Sequence, residues 1–285
     1  MASQNNGLRL PPPWISPAAG MPDREVRPVI IVQRRRSAYD SDAQAYITAV
    51  ETADAQALET GVKDAINAFV VGCKADGIWT AIKASCILAG ARTLAGALVP
   101  VVGAAPTSFG TAGGWNYNRK TGLLPNGTDN YLNSNRANNS DPQNNNHNAV
   151  YVTTVGTANG AFIASDGTIS GTNFLIGGQS NTLFSRSRSA TGVSAGANPS
   201  PGLIGHSRSA AGSYTLRNNG ASGTASSSSA ATEPSSVLIF RRGSAATPSY
   251  SNHRIAFYSI GEALTLSLLE ARLIALINTF AAVIQ

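Results

Sequence analysis

The segment Gly205–Ser209 contains the residue types of a hydrolase nucleophile, a serine next to a histidine. In a nucleophile elbow, the pattern Gly-x-Ser-x-Gly places the serine on a sharp turn between a strand and a helix. Here Ser209 stands where the last glycine is required, and the following Ser213–Leu216 is typical of a strand. The pattern therefore argues against an esterase.

Carboxylates are scarce in the middle of the chain. A glycosidase needs two of them on either side of the scissile bond, roughly 5–9.5 Å apart. Between Val150 and Ala230 the sequence has Asp166 alone, and the next acidic residue is Glu233. This scarcity favours a protein that is not an enzyme.

The metal-ligating residue types are scattered along the chain. The three histidines, His147, His206 and His253, are far apart in sequence. Asp129 and Asp141 lie in an asparagine-rich stretch whose oxygens could bind calcium. The same residues form Asx turns, and this second interpretation is favoured. We therefore expect no metal ion and no cofactor.

Cys73 and Cys86 are the two cysteines of the chain. Both have apolar neighbours in sequence that is typical of a helix, and neither belongs to a Cys-x-x-Cys or Cys/His motif. The pattern predicts two buried, reduced thiols rather than a disulfide.

The composition is that of a turn-rich β protein. The chain has 285 residues, of which 42% are hydrophobic and only 13% charged, with 28 glycines. A charged fraction this low is about half of the usual value. The chain has no uncharged apolar stretch of eighteen residues, so we expect no membrane insertion.

Residues 1–40 are predicted to form an extended anchoring arm. Prolines interrupt this segment, and its six arginines and three acidic residues give it a net charge of +3. The arginine run is short and has no interleaved aromatic residues, so we expect docking on protein rather than on nucleic acid. The residues predicted to anchor the arm are Trp14, Ile15, Val29, Ile30, Ile31, Arg34, Arg35 and Arg36.

Residues 41–90 are predicted to form a small helical collar. Ser41–Gln44 has the form of a capping box, and Val62, Ile66 and Phe69 follow at helical spacing. A second apolar run, Ile78–Ile87, is predicted to continue the helical segment after a break.

Residues 91–285 are predicted to form an antiparallel β-sandwich of the jelly-roll type. Short β-branched and aromatic runs recur about every dozen residues between Gly, Asn and Ser, beginning with Leu94–Val102. Ser222–Ser229 is predicted to be an exposed loop. The spacing of the last residues predicts an amphipathic helix over 262–283 that packs on the sandwich.

Five segments resemble tailed-bacteriophage structural proteins: Ala43–Asp54, Phe69–Leu94, Tyr117–Leu123, Asn126–Asn135 and Ile255–Leu264. The resemblance extends from Ser41 to the C-terminus and leaves out the arm. It implies a concanavalin A-like or laminin-G-like jelly roll in a virion appendage. Lectin-type members bind sugars through loop residues. The sequence has asparagine-rich loops but no sugar-binding motif that matches residue by residue. If the protein is a lectin, the loop residues expected to contact a glycan are Asn116, Tyr117, Asn130 and Tyr131.

The leading hypothesis is a non-enzymatic virion protein, a tail fibre or baseplate appendage at the particle surface. Its arm would bind other virion proteins, its sandwich would face outward toward a host glycan, and a homo-oligomer, by analogy a trimer, is expected. One alternative is a capsid decoration or cement protein. Another is a carbohydrate-binding lectin or depolymerase.

Overall fold

A computed structural model describes residues 38–156, 160–165, 170–177, 182–243 and 248–285 of the chain. Tyr39–Gln285 forms one compact unit. Its α-helices are α1 (Ser41–Asp54), α2 (Thr60–Ala75), α3 (Leu94–Ala97) and α4 (Leu266–Val283).

Two antiparallel sheets carry most of the strands. The inner sheet has the order β14-β13-β12-β7-β18-β1-β2, with β5 also on β18 and β4 on β5. Its strands are β1 (Ile82–Ile87), β2 (Pro100–Val102), β4 (Asn116–Asn118), β5 (Gly122–Leu124), β7 (Asn146–Thr154), β12 (Gly202–Arg208), β13 (Ser213–Asn218), β14 (Ala221–Ser226) and β18 (Arg254–Gly261).

The outer sheet has the order β11-β10-β9-β8-β15-β6-β3. Its strands are β3 (Thr107–Phe109), β6 (Tyr131–Ala137), β8 (Ala161–Ser165), β9 (Asn173–Gly177), β10 (Leu183–Ser187), β11 (Val193–Ser194) and β15 (Ser236–Ile239). A hairpin of β16 (Arg241–Arg242) and β17 (Ser249–Tyr250) lies against β8.

Side-chain alternation divides the core into two layers. Val150, Ile204 and Tyr258 point between the two sheets and pack against outer-sheet residues such as Leu175 and Ile239. The opposite face of the inner sheet, which includes Ala149, Leu203 and Phe257, packs against α1, α2 and α4. The order of layers is therefore helices, inner sheet, outer sheet. The predicted mainly β antiparallel sandwich with a C-terminal helix is confirmed.

The helices expected in a collar form a layer on the inner sheet, within the same compact unit. The apolar stripe predicted on α2 is confirmed, since Val62, Ile66 and Phe69 are buried. The capping prediction was one residue off, because the N-cap of α1 is Asp40, whose carboxylate accepts from the backbone N–H of Asp42 at 3.0 Å.

Two segments were assigned to the wrong type of element. Ile82–Ile87, predicted helical, is strand β1 in the interior of the inner sheet. Its apolar residues Ile82, Ala84 and Cys86 alternate with Lys83 and Ser85, which is the period of a strand, but the segment directly follows Ile78 and Trp79 and is therefore predicted as part of one helical run. Leu94–Ala97, predicted as strand, is the one-turn helix α3, in which the Thr93 hydroxyl caps the N–H of Gly96.

Two further boundaries differ from the prediction. Ser222–Ser229, predicted as a loop, contributes to the exposed edge strand β14, whose small residues pair with β13. The C-terminal helix begins at Leu266 rather than at 262. The residues before it form hydrogen bonds outside the helix: the N–H of Glu262 donates to the Ala81 carbonyl, and that of Ala263 donates to the Asn145 side-chain oxygen.

Helix α4 is long and apolar enough to cross a membrane by length and composition alone, with a mean hydropathy of 1.6. In this structure its apolar stripe, including Leu269, Leu273 and Phe280, is buried against α2 and the inner sheet. The helix therefore forms part of the core.

Candidate functional site

The outward face of the outer sheet carries an aromatic stack at its edge. Phe109 on β3 lies directly opposite Tyr131 on β6. Their rings are parallel, with centroids 4.8 Å apart and planes inclined by 7°. Phe109 remains 41% exposed. We call Phe109, Tyr131 and the neighbouring Tyr250 the aromatic platform.

Arg241 holds the platform together. Its guanidinium lies 4.7 Å from the ring centre of Tyr131 and 5.9 Å from that of Tyr250, and the two tyrosine rings are 6.2 Å apart. Arg241 is only 5% exposed, so its charge is buried against these rings. The platform is therefore fixed in place by packing rather than by flexible loops.

A network of hydrogen bonds fixes the turn beside the platform. The Asp129 carboxylate accepts from the backbone N–H and hydroxyl of Thr111, at 2.9 and 2.6 Å, and from the Asn126 amide at 2.6 Å. The bonds from Thr111 and Asn126 lower the pKa of Asp129. Asn130 donates to the carbonyl oxygens of Phe109 and Thr111. These contacts connect β3 to β6 and hold Phe109 against Tyr131.

A second cluster lies on the same face. The register aligns Asn133, Leu238, Ala164 and Phe174 across β6, β15, β8 and β9. Asn133 is two residues from Tyr131, so Phe174 and Tyr131 point to the same side of the sheet. They are separated by three strand spacings, about 14 Å, across the sheet and by two residues, about 7 Å, along the strands.

Phe174 is the centre of this second cluster. The guanidinium of Arg242 lies 4.4 Å from its ring centre and that of Arg186 lies 4.9 Å from it. We call Arg186 and Arg242 the arginine pair. Burial, and then the nearby charge of Arg242, lowers the pKa of Arg186, and burial lowers that of Arg242. Both arginines are partly exposed.

The backbone at Phe240 directs the two adjacent arginines onto this face. Phe240 is fully buried and has φ 72°, in the left-handed region that a bulky side chain rarely adopts. It directly follows β15, and the next two residues, Arg241 and Arg242, pack on Tyr131 and Phe174. A backbone strain of this kind costs about 1–3 kcal/mol and concentrates at functional positions.

Three of the four predicted glycan-contacting residues lie on strands of two different sheets, and the fourth, Asn130, directly precedes β6. Asn116 and Tyr117 belong to β4 of the inner sheet, and Tyr131 begins β6 of the outer sheet. The Tyr117 hydroxyl donates to the Ala91 carbonyl at 2.7 Å, and burial raises its pKa. Asn130 is 1% exposed. Asn116 is exposed and accepts from Arg254. Of the four, Tyr131 belongs to the candidate site.

The predicted arm residues Trp14, Ile15, Val29–Ile31 and Arg34–Arg36 lie outside the described part of the chain, as does Asp166. In the described residues, no group of three or more His, Cys, Asp or Glu side chains could hold a metal ion. Asp141 is engaged by Arg136, whose Nε is 3.2 Å from the carboxylate.

The serine of the elbow-like segment has a structural contact. Ser207 lies within strand β12, and its hydroxyl accepts from the N–H of Leu264 at 3.0 Å. Because the chain continues as a strand, His206 and Ser207 point to opposite faces of the sheet. Their geometry is not that of a nucleophile and its base.

Each of the three histidines is buried and held neutral. His147 contacts the Glu262 carbonyl and the Ser259 hydroxyl, and burial lowers its pKa to about 4. His253 accepts from the N–H of Gly156 and stacks on Phe162, and burial lowers its pKa to about 4. Burial also lowers the pKa of His206, far below the ordinary value.

The two cysteines are free and buried, as predicted. Burial raises the pKa of Cys73 and of Cys86 to about 12. Neither thiol lies on the outer sheet, so neither belongs to the candidate site.

Sequence reasoning missed two buried arginines and most of the outer face. Arg208 is fully buried and donates to five backbone carbonyls, including those of Ser187 and Ser227. Arg188 donates to the carbonyls of Asn138, Asp141 and Pro142. Both arginines act as cross-links between loops.

No protein-family profile and no curated protein sequence matches this chain. Two solved structures are similar to it in part. One is domain 4 of AbnA, a GH43 extracellular arabinanase from Geobacillus stearothermophilus, in complex with arabinotriose. It is 12% identical, with a TM-score of 0.39, over 60% of this chain and 82% of that one. The other is a mutant of HCR/D, 13% identical with a TM-score of 0.45, over 67% and 51%. The resemblance to phage structural proteins stays a prediction.

Proposed function

We propose that this protein is a non-enzymatic binding module whose outer sheet holds a saccharide on the aromatic platform. The observation that carries this proposal is the parallel stack of Phe109 on Tyr131, left 41% exposed at Phe109. The helices cover the other side of the sandwich, so in the described part of the chain this face has no helical layer above it.

Saccharide binding suits the chemistry of this face. The C–H face of a sugar ring is apolar and stacks on aromatic rings, while its hydroxyls bond to polar groups at the rim. Phe109 supplies an exposed ring, and the hydroxyl of Tyr131 and the turn containing Thr111 and Asn126 supply polar groups beside it. Packing by Arg241 fixes the rings before a ligand arrives, which reduces the entropy cost of binding.

The same face lacks the groups that hydrolysis needs. Among the described residues, the strands of the outer sheet and the β16–β17 hairpin contain no Asp or Glu. Asp129, beside the platform, has its carboxylate engaged by Thr111 and Asn126. We therefore propose that the protein binds the saccharide without cleaving it. Release of reducing ends from a bound polysaccharide would contradict the absence of cleavage.

A glycan panel read by isothermal titration calorimetry tests the proposal. We expect at least one oligosaccharide to bind in the low-millimolar range or more tightly. Phe109→Ala should weaken its affinity about tenfold, since an aromatic contact contributes about 1 kcal/mol or more. Phe109→Trp should keep binding.

The matched control is Val71→Ala, which removes another exposed apolar side chain, 45% exposed, from helix α2. This variant should bind as the unmodified protein does. The assignment of the platform would be overturned if Phe109→Ala left the affinity unchanged, or if no member of the panel bound.

We further propose a virion as the setting of this module, with the arm as its attachment to the particle. The support is the proline-punctuated sequence of residues 1–40, with Trp14 and Ile15 between prolines. Deleting residues 1–35 should leave a folded sandwich that no longer enters virions. Normal incorporation of the truncated protein would contradict this proposal.

A further inference from the structure

We propose that two copies of this chain associate through strand β14, which forms a free edge of the inner sheet. In this dimer β14 of one copy pairs antiparallel with β14 of the other, so that the two inner sheets join into one. The inference is independent of saccharide binding, because the aromatic platform lies on the outer sheet and its hairpin.

Strand β14 is the longest edge strand of the two sheets. It spans six residues, Ala221–Ser226, and pairs with β13 on one side. Among the described residues, no strand pairs with its other side. The other edge strands, β2, β3, β4 and β11, have only two or three residues each. A short edge is one way in which a protein avoids pairing with other chains, and β14 does not have this protection.

The sequence of β14 also lacks the other features that protect an edge strand. These features are charged side chains, proline and β-bulges. Ala221–Ser226 contains no charged residue and no proline, and its register with β13 continues without a shift. All of its residues except Ala225 are exposed. The edge is therefore open to another strand.

The turn between β13 and β14 determines which backbone groups point away from β13. It consists of Asn219 and Gly220, with φ 42° and 80°, and is therefore the two-residue hairpin turn that needs positive φ at both positions. The residues that close this turn, Asn218 and Ala221, exchange backbone hydrogen bonds. Bonded and non-bonded pairs then alternate along the two strands, so every second residue of β14 directs its backbone groups away from β13.

The outward residues of β14 are Ser222, Thr224 and Ser226. Each presents one N–H and one C=O along the free edge. A two-fold axis at Thr224 pairs this residue with its own counterpart and pairs Ser222 with Ser226 across the two strands. Each pair exchanges two hydrogen bonds, so the three pairs form six bonds between the copies. The backbone of β14 is therefore complementary to itself in this register.

The side chains suit the same register. Residues directly opposite each other on paired strands point to the same face, so the alternation of β14 continues across the axis. Gly223 and Ala225 lie on the face of the inner sheet that Leu216 directs toward the outer sheet. Thr224 lies on the opposite face, where two threonines across the axis form a favourable cross-strand pair.

The outer sheet leaves room beside this edge. A groove of about 220 Å³ lies between β14 and β11, and Val193, Ala195 and Leu216 contribute to its lining. Because β11 is separated from β14 by this groove, the outer sheet does not close over the free edge. A second strand can therefore approach β14 without a rearrangement of the sandwich.

Sedimentation equilibrium of the full chain tests the inference first. We expect a monomer–dimer equilibrium with a Kd below about 1 mM, because one pair of strands is a small interface. Pairing about a two-fold axis closes at two copies. A chain that stays monomeric up to about 1 mM, or that forms a trimer, would overturn the inference.

Two lysine variants locate the interface. Thr224→Lys places like charges opposite each other at the axis and should weaken dimerisation about fivefold or more. The matched control is Thr215→Lys, since Thr215 is exposed and directly opposite Thr224 but lies on β13, one strand inside the edge. The control should dimerise as the unmodified protein does. Equal effects of the two variants would overturn the inference.

Oxidative cross-linking of two cysteine variants tests the register. At the axis the Cα atoms of Thr224 and its counterpart are about 5.5 Å apart, which is within the range of a disulfide. The two copies of Thr215 are three strand spacings apart, about 14 Å, which is too far. Cys73 and Cys86 are fully buried and do not compete.

With copper phenanthroline as the oxidant, Thr224→Cys should give a disulfide-linked dimer on a non-reducing gel. Thr215→Cys should stay monomeric on the same gel. A Thr224→Cys variant that does not cross-link, or a Thr215→Cys variant that cross-links as readily, would overturn the inference.

Discussion

Three buried histidines make the free energy of unfolding depend on pH between 7 and 5. His147, His206 and His253 are at most 1% exposed and are neutral in the folded protein. His147 has partners on both ring nitrogens, the Glu262 carbonyl and the Ser259 hydroxyl, that suit the neutral ring. Acidification is therefore the perturbation to apply.

The size of the effect follows from the pKa values. Burial lowers the pKa of His147 and of His253 to about 4, against 6.5 in the unfolded chain. As the pH falls below 6.5, the unfolded chain takes up protons that the folded protein does not, so stability is lost. At pH 5 the loss is about 2 kcal/mol for each of these histidines. His206 adds to it in the same direction.

Carboxylates add little in this interval. Hydrogen bonds and ion pairs lower the pKa of Asp40, Glu59 and Asp76 below ordinary values near 4. Their stabilising contribution is present above the unfolded pKa and is lost as the pH falls toward the folded one, mostly below pH 5. The interval from 7 to 5 therefore reports on the histidines.

Urea unfolding followed by circular dichroism at pH 7 and pH 5 measures the effect. We expect the free energy of unfolding to be lower at pH 5 than at pH 7 by at least about 4 kcal/mol. His147→Gln should shrink that difference by about 2 kcal/mol, whatever it does to the stability at pH 7. A free energy of unfolding that is flat over this interval would refute the reasoning. So would a His147→Gln variant with an unchanged pH dependence.

Three other predictions concern packing. Glu270→Ala should lower the free energy of unfolding in urea by about 3 kcal/mol, because it removes the carboxylate that pairs with Arg217 in a buried ion pair. A decrease below ~1 kcal/mol would contradict this prediction. Asp54→Ala should lower the free energy of unfolding by about 3 kcal/mol in the same assay, because the Asp54 carboxylate accepts three hydrogen bonds at the start of α3. An unchanged urea midpoint would contradict this prediction. Cys73 and Cys86 should resist iodoacetamide at pH 8 until urea is added, as read by mass spectrometry; labelling of the native protein would contradict their burial.

The sandwich and its helices could be predicted where one face of an element is buried. In α2 the apolar residues recur at helical spacing because only one side packs, so Val62, Ile66 and Phe69 were identified correctly. Strand β1, Ile82–Ile87, is buried on both faces, and its short apolar–polar alternation directly follows the helical residues before Ile82. Its type is decided by its pairing with β18 and β2, which are distant in the sequence.

The candidate site could be predicted only in small part. Tyr131 was named among the loop residues that a lectin would use, while Phe109, Phe174 and Arg242 come from three separate segments that only strand register brings to one face. The Arg241–Arg242 pair just after the apolar strand β15 was a signal that the sequence analysis did not use. Arg188 and Arg208 have the appearance of surface charges in the sequence, and their burial depends on backbone carbonyls of distant loops.

Mapping a bound saccharide by amide chemical-shift perturbation tests the central claim most directly. With the tightest-binding oligosaccharide of the panel, we predict that the perturbed amides cluster on the outward face of the outer sheet, around Phe109, Tyr131 and Phe174. Perturbations that cluster instead on the helical side, around Val71 and Leu268, or that do not saturate with ligand, would contradict it.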